Sequence, residues 1–200
     1  MKIELSKFCE NYNISTESNI FKTIESLFEG TEDLSIFVAG GAIRNLIEGK
    51  EKVENDFDLF FKNEEELRIY ENRIKTKLKY KGESIESDLN VSLNLDGQKI
   101  QLIKIYHNNA EDLIQSFDFT ICMFAVGNDK ILYCGDLSLF DLARKKLVVN
   151  KITYPIASLR RFLKYTNKGF HACGGAMKMF LNDIIASNPS GIENEIEYID

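Results

Sequence analysis

The sequence has little of what metal-binding, secreted or membrane proteins require. Its four cysteines are scattered over 200 residues without a Cys-x-x-Cys pair, which argues against a zinc site and a disulfide framework. The two histidines, His107 and His171, stand in no metal-ligand spacing with a second candidate. No uncharged apolar run approaches the roughly 20 residues of a membrane helix, and the N-terminus MKIELSKFCE carries acids and lacks the long apolar stretch of a signal peptide. We therefore expect a cytoplasmic protein that does not bind membranes.

One long segment lacks acidic residues altogether. Between Leu142 and Asn182 there are nine basic residues and no acid, and the chain as a whole has a net charge of −6, so the remainder carries −15. Such segregation predicts one face that meets phosphates on an otherwise acidic body, whereas a merely solvated helix face would normally mix charges. The nine are Arg144, Lys145, Lys146, Lys151, Arg160, Arg161, Lys164, Lys168 and Lys178.

With 44% hydrophobic and 28% charged residues, the chain is predicted to be an ordinary globular protein. Apolar periodicity and capping residues predict helices over 17–30, 42–48, from Asn63 onward, and over roughly 137–146, 156–168 and 175–186. Alternating or short apolar runs predict strands over 34–39, 56–61, 91–95, 99–105, 119–126 and 131–133. The order predicts an α+β fold: a mixed β-sheet head with helices on one side over 1–150, a short basic helical neck over 151–187, and a flexible acidic tail over 188–200.

Chemistry is concentrated in residues 37–61, FVAGGAIRNLIEGKEKVENDFDLFF. Gly40 and Gly41 separate a predicted strand from a helix, where the backbone can approach an anion and the helix start presents free N–H groups. Arg44 lies in the first turns of that helix. Asp56 and Asp58 are two apart on a strand, so both side chains leave the same face and repel each other unless a cation lies between them. This order predicts Mg²⁺-assisted phosphoryl transfer, although each signal alone is also typical of an ordinary turn or strand end.

These residues resemble the head domain of the polymerase-β-type nucleotidyltransferases, and most closely the class of bacterial CCA-adding enzymes and poly(A) polymerases. In that family a Gly-Gly-x-x-Arg-Asp turn and an Asp-x-Asp strand form the catalytic core. Gly40, Gly41, Arg44, Asp56 and Asp58 match these motifs. The resemblance implies that the two aspartates hold one or two Mg²⁺ ions, and that the glycines and Arg44 bind the triphosphate of ATP or CTP.

The resemblance extends to about residue 170. Asp118-Phe119-Thr120 is similar to the family's segment associated with ribose recognition, which implies that Asp118 lies near the ribose. Residues 154–170 resemble the neck helix. This implies that Arg160, Arg161 and Lys164 meet the triphosphate tail or an RNA acceptor such as a tRNA 3′ end.

The chain also departs from the family pattern. Asn45 replaces the Asp that usually follows the arginine, two arginines before Asp118 are missing, and Gln101 stands where many relatives have a third carboxylate. The base-selecting motif and the tRNA-gripping arm have no counterpart, so we expect poorly ordered nucleotide addition. The leading hypothesis is transfer of an NMP unit from an NTP to an RNA 3′ hydroxyl with release of pyrophosphate. The alternatives are nucleotidylation of a protein or small molecule, and a non-catalytic module that binds nucleotide, RNA or a protein.

Overall fold

A computed structural model describes residues 1–51, 56–77, 84–95 and 97–186. The strands are β1 (Lys2–Glu4), β2 (Ile36–Ala39), β3 (Asp56–Phe61), β4 (Ile85–Glu86), β5 (Asn90–Leu95), β6 (Gln98–Ile103), β7 (Phe124–Gly127) and β8 (Ile131–Cys134). The helices are α1 (Leu5–Asn11), α2 (Asn19–Phe28), α3 (Gly41–Ile47), α4 (Glu64–Lys77), α5 (Ala110–Ser116), α6 (Ser138–Ala143), α7 (Pro155–Asn167) and α8 (Gly174–Ala186), with a 3₁₀ turn at Thr120–Cys122. The predicted mixed α+β fold is confirmed.

Local sequence signals account for the main helices. The Ser18 hydroxyl accepts a hydrogen bond from the Phe21 N–H at the start of α2. The Asn63 side chain accepts from the Glu66 N–H at the start of α4, whose first turn is acidic. Both caps satisfy backbone donors that a helix leaves unpaired at its first turn. Pro155 begins α7, at a position where its missing N–H costs nothing.

The described strands form one mixed sheet in the order β1-β8-β7-β2-β3-β6-β5-β4. Strand β3 lies in its middle, antiparallel to β2 and parallel to β6. The other pairings are antiparallel. A central position gives β3 hydrogen-bonded neighbours on both sides, which holds its side chains in a defined register.

One face of the sheet forms a core with helices. Phe57, Leu59 and Phe61 of β3 are at most 1% exposed. The Phe61 ring lies 5.4 Å from the Tyr70 ring of α4, and the Tyr70 hydroxyl donates to the Leu27 carbonyl of α2. The helices therefore cover the face of β3 opposite to that of Asp56 and Asp58, because side chains alternate along a strand.

The chain divides into two compact units. Unit 1 comprises Met1–Ile114 and Phe124–Cys134 and contains the whole described sheet. Unit 2 comprises Gln115–Met123 and the residues from Gly135 on, including α6, α7 and α8. The predicted division into head, neck and tail stays a prediction, and the tail lies outside the described residues.

The prediction of a strand over 119–126 is partly wrong. Residues 120–122 form a 3₁₀ turn and only Phe124–Gly127 is a strand. The Thr120 hydroxyl donates to Asp141, and the Cys122 sulfur lies 3.0 Å from the Tyr165 hydroxyl. These tertiary contacts hold the backbone in a turn despite its strand-like composition.

In the part of the chain that the structure describes, none of the helices combines the length and the apolar character that crossing a membrane requires.

Candidate active site on the central strand

The turn after β2 depends on Gly40. Its φ of 72° and ψ of −125° lie in a region that residues with a Cβ rarely adopt. The Gly40 N–H donates to the Phe124 carbonyl of β7 at 3.0 Å, and its own carbonyl accepts from Arg44 N–H. Gly40 thus joins β2 to α3 by a sharp reversal that another residue type would strain.

Gly41 is a glycine for a different reason. Its φ is not positive, and a Cβ added there would have no heavy atom within 4 Å. Neither backbone conformation nor packing among the described residues requires a glycine at this position. The absence of a side chain leaves open space in front of the turn, where the sequence predicts a triphosphate.

Asp56 and Asp58 lie on one face of β3, as the sequence predicts. The register pairs Asp58 with Ala39, the residue directly before Gly40, so the turn and the carboxylates adjoin. Both aspartates are half-buried, and they alternate with the fully buried Phe57 and Leu59. Two carboxylates held side by side in this way attract a cation.

The neighbouring strand β6 contributes a cation and an amide to the same face. The parallel register pairs Lys99 with Asp56 and Gln101 with Asp58. The Lys99 ammonium nitrogen lies 3.4 Å from the Asp56 carboxylate. Gln101 occupies the position at which the family resemblance implies a third carboxylate in many relatives.

The donor chemistry of this face fits Mg²⁺. Mg²⁺ is commonly bound by one or two carboxylates together with substrate phosphates and water, and Asp56 and Asp58 provide two carboxylates. Within residues 1–51, 56–77, 84–95 and 97–186, no three His, Cys, Asp or Glu side chains cluster closely enough to form a metal site from protein ligands alone. Phosphate oxygens of a substrate would complete the coordination.

Arg44 and Asn45 are both buried in α3, at 4% and 3% exposure. The Arg44 Nε lies 4.0 Å from the Glu48 carboxylate one turn later, and Lys50 approaches the same carboxylate at 3.7 Å. The predicted contact of Arg44 with a triphosphate stays a prediction, which this burial does not favour.

Asp118 and Arg161, both predicted to bind nucleotide, contact each other in unit 2. Arg161 donates to the Asp118 carboxylate at 2.9 Å, and the two side chains are 30% and 7% exposed. Although burial disfavours the guanidinium charge, the Asp118 carboxylate raises the pKa of Arg161 above its usual range. Asp118 and Arg161 thus pair with each other, whereas the sequence predicts that each contacts the nucleotide. The predicted nucleotide contacts stay predictions.

The basic segment of unit 2 does not form one uniform surface. Arg160 is exposed on α7 beside the half-buried Arg161, and Lys164 follows one turn later. Arg144 lies over the Phe140 ring at 4.9 Å and Lys145 over the Phe170 ring at 4.7 Å. Cations that contact rings or a carboxylate contribute to packing as well as to surface charge.

A cavity of about 1000 Å³ in unit 1 lies away from the aspartates. Its lining includes Phe57, Ile100, Tyr70 and Ile20, and none of the predicted site residues. Since Phe57 alternates with Asp56 and Asp58, the cavity opens on the helix-covered face of the sheet. Its size alone does not identify it as the site of chemistry.

Sequence reasoning missed Lys99. The strand 99–105 was predicted, but not its parallel pairing with β3, which places Lys99 next to Asp56. The register partners Asp56 and Lys99 are 43 positions apart along the chain, with strands β4 and β5 between them, so local periodicity carries no information on the pairing. A polar face along the strand, shared by Lys99 and Gln101, was the available signal.

The fold is that of known nucleotidyltransferases. The Thermotoga maritima CCA-adding enzyme complexed with tRNA superposes with a TM-score of 0.68 and 17% identity over 98% of this chain and 50% of that chain. CCA-adding enzyme structures with CTP and with ATP each give a TM-score of 0.67, at 18% and 17% identity, over 98% of this chain and 49% and 51% of theirs. The predicted nucleotidyltransferase-type fold is therefore confirmed.

Sequence comparison identifies a more specific relationship. Gabija anti-defense 2 of Bacillus phage SPbetaL7 is 27% identical over 150 residues, which are 73% of this chain and 36% of that protein. The chain therefore spans about a third of the length of this curated relative. The model of the "Gabija anti-defense 2 family protein" matches residues 5–145, more than two thirds of the sequence. This chain belongs to the Gabija anti-defense 2 family.

Proposed function

We propose that this protein is a Mg²⁺-dependent nucleotidyltransferase that moves an NMP unit from an NTP to an acceptor hydroxyl and releases pyrophosphate. One observation carries the proposal. Asp56 and Asp58 are half-buried on the face of the central strand opposite the helix-packed Phe57 and Leu59, and their register adjoins the Gly40–Gly41 turn. In a nucleotidyltransferase-type fold, this arrangement supports the proposal of a cation site beside the open space at the glycine turn.

Different residues of the chain would bind the Mg²⁺ and the phosphates of the NTP. Asp56 and Asp58 would hold Mg²⁺, which supplies positive charge to the triphosphate and stabilises the leaving pyrophosphate. The backbone at Gly40 and Gly41 would contact the phosphates. The acceptor oxygen forms a bond to the α-phosphorus, the bond to the pyrophosphate oxygen breaks, and the hydroxyl proton is lost to solvent.

The second unit would contribute to nucleotide and acceptor binding. From the family resemblance we propose that Asp118 lies near the ribose, and that Arg160, Arg161 and Lys164 contact the triphosphate tail or the acceptor. We retain 1–150 as the head and 151–187 as the neck in this proposal. The favoured acceptor is an RNA 3′ end and the favoured donor is ATP or CTP, which the tRNA-, CTP- and ATP-bound relatives support.

The family name suggests the purpose of the transfer. Its phage member is named for an action against a defence called Gabija. We propose that nucleotide transfer by this chain serves the same end by modifying a nucleic acid of the infected host. Modification of a protein or small molecule of the defence is the alternative within the enzymatic class.

The test is incubation of the whole chain with Mg²⁺ and each α-labelled NTP, with total RNA in one series and soluble host protein in another. Label in RNA that depends on Mg²⁺, and that Asp58→Asn abolishes, is the expected result. Addition should be limited or poorly ordered. Clean, terminated CCA synthesis would contradict the expectation of poor ordering, and label in protein alone would replace RNA as the acceptor.

A non-catalytic binding module is the second candidate function. The Lys99–Asp56 ion pair favours it, because a cation within the protein already neutralises part of the carboxylate charge. No label in either series, combined with measurable binding of nucleotide or RNA, would select this candidate.

A further inference from the structure

The proposed Mg²⁺ binding by Asp56 and Asp58 gives no role to the ion pair between Lys99 and Asp56. The two residues are register partners on the parallel strands β6 and β3, and 3.4 Å separates the Lys99 nitrogen from the Asp56 carboxylate. The Asp56 side chain is 21% exposed and the Lys99 side chain is 48% exposed. The Lys99 side chain is thus partly in solvent, and the strand register fixes its backbone beside Asp56.

The position of Lys99 matters because it adjoins a predicted cation ligand. Asp56 can offer its carboxylate to a divalent ion, but Lys99 offers the same carboxylate a monovalent partner within the protein. A divalent ion at Asp56 would bring like charges together, unless Lys99 swings away along its flexible stem.

The other β6 neighbour of the aspartates, Gln101, does not restore the negative charge that Lys99 neutralises. Gln101, the register partner of Asp58, is a neutral amide and is half-buried. Across the two strands the face therefore carries two carboxylates and one ammonium group, a net charge of −1. A third carboxylate at the Gln101 position would have given a net charge of −2 even with Lys99 present.

We infer that Lys99 is a positioning residue that weakens divalent-ion binding at Asp56 and so makes occupancy of the metal site depend on the incoming triphosphate. This inference rests on the proposed function of the same site. Without nucleotide, Lys99 neutralises Asp56 and relieves its repulsion from Asp58. When a nucleotide arrives, its phosphates attract both the divalent ion and the Lys99 ammonium group, so the ion pair can open without stranding a charge.

The inference makes a prediction that needs no catalysis. Removing the ammonium group should tighten binding of a divalent ion to the nucleotide-free protein by about fivefold, the upper range for an exposed ion pair. It should also reduce the extra affinity that nucleotide confers, because more of the site is then occupied without nucleotide. A purely structural lysine would change neither quantity.

Mn²⁺ is the probe, measured by the loss of its free electron paramagnetic resonance signal with and without a non-hydrolysable ATP analogue. Lys99→Met keeps the aliphatic stem and removes the charge, whereas Lys99→Arg keeps the charge. Lys22→Met is the matched control, since Lys22 forms an exposed ion pair with Glu17 and lines the cavity on the other face of the sheet. Thermal unfolding of each variant checks that the fold is retained.

The expected result is tighter Mn²⁺ binding for Lys99→Met and unchanged binding for Lys99→Arg and Lys22→Met. Unchanged affinity in Lys99→Met, with Mn²⁺ binding that Asp56→Asn abolishes, would overturn the inference and leave the proposed function intact. Tighter binding in Lys99→Met without nucleotide transfer by the unmutated chain would support the inference and refute the proposed function. Equal Mn²⁺ binding in Asp56→Asn and the unmutated chain would refute both.

Discussion

The predicted site aspartates of unit 1, Asp56 and Asp58, and that of unit 2, Asp118, have different electrostatic environments. Asp56 and Asp58 are half-buried like charges on one strand face, and the cation beside Asp56 is an exposed lysine. The Asp118 side chain is 7% exposed, and Arg161 donates to it directly. In the proposed function the first group receives an external cation, whereas Asp118 already has a cationic partner within the protein.

The largest expected effect is on chemistry in unit 1. Asp58→Asn, and separately Asp56→Asn, should each lower nucleotide transfer by about a thousandfold or more, because a metal ligand contributes several kcal/mol to the transition state. The free energy of unfolding should stay equal or rise slightly in Asp58→Asn, since charge repulsion is relieved, and should rise less in Asp56→Asn, which also loses the ion pair with Lys99. Initial rates with labelled NTP and urea unfolding measure the two quantities. Mg²⁺-dependent transfer at a near-normal rate in either variant would refute the two-aspartate mechanism.

The glycine turn permits a paired test within unit 1. Gly41→Ala should reduce transfer by about tenfold or more while stability is unchanged, because the added methyl group meets open space in the protein but would crowd a phosphate. Gly40→Ala should lower the free energy of unfolding by about 1–3 kcal/mol, the usual cost of a strained backbone conformation. If Gly41→Ala has full activity, the ligand does not approach this turn closely.

In unit 2 the expected effect is on stability. Arg161→Ala should lower the free energy of unfolding by about 2 kcal/mol, less than for a fully buried pair, because it leaves the buried Asp118 carboxylate without this donor. Arg160→Ala, on an exposed neighbour, should change it by less than about 0.5 kcal/mol. Urea unfolding of both variants decides whether adjacent arginines differ as the structure indicates.

The Arg160→Ala variant also separates nucleotide binding from RNA binding. If RNA binds along α7, Arg160→Ala should weaken RNA affinity and reduce the slope of log affinity against log salt by about 0.7 to 0.9, since one phosphate contact is lost. An increased KM for NTP with RNA affinity unchanged would assign Arg160 to the triphosphate instead. If neither quantity changes, this part of the basic segment is a solvated face.

The smallest expected effect is a pH dependence near the far end of β3. Burial lowers the pKa of His107 below its usual value of 6.5, against a weaker opposing effect of Asp112. The unfolded chain therefore binds more protons than the folded chain between the lowered value and 6.5, and the free energy of unfolding should fall as the pH drops through this window. His107→Gln should flatten the dependence measured by urea unfolding between pH 7 and 5. A dependence unchanged by that substitution would assign it to other groups.

Sequence patterns predicted most of the elements because their signals are local. Strand β3 was predicted at its observed bounds, and α2, α3, α4 and α7 within about three residues at each described end. Strand β1 and helix α1 were not predicted. Strand β1 has three residues and pairs with β8, some 130 residues further along the chain. It is too short to show a periodicity from which it could be predicted.

The sequence by itself determined the fold class through the order of its predicted elements, and it placed the glycine turn before the two aspartates. It also determined that Asp56 and Asp58 share one face, because side chains alternate along a strand with a period of two. Only the tertiary structure decided that Lys99 stands beside Asp56, that Arg161 pairs with Asp118, and that residues 120–122 turn instead of extending. The physical reason is the same in each case. These contacts join residues distant in sequence, and their formation depends on strand pairing and burial that no local pattern encodes.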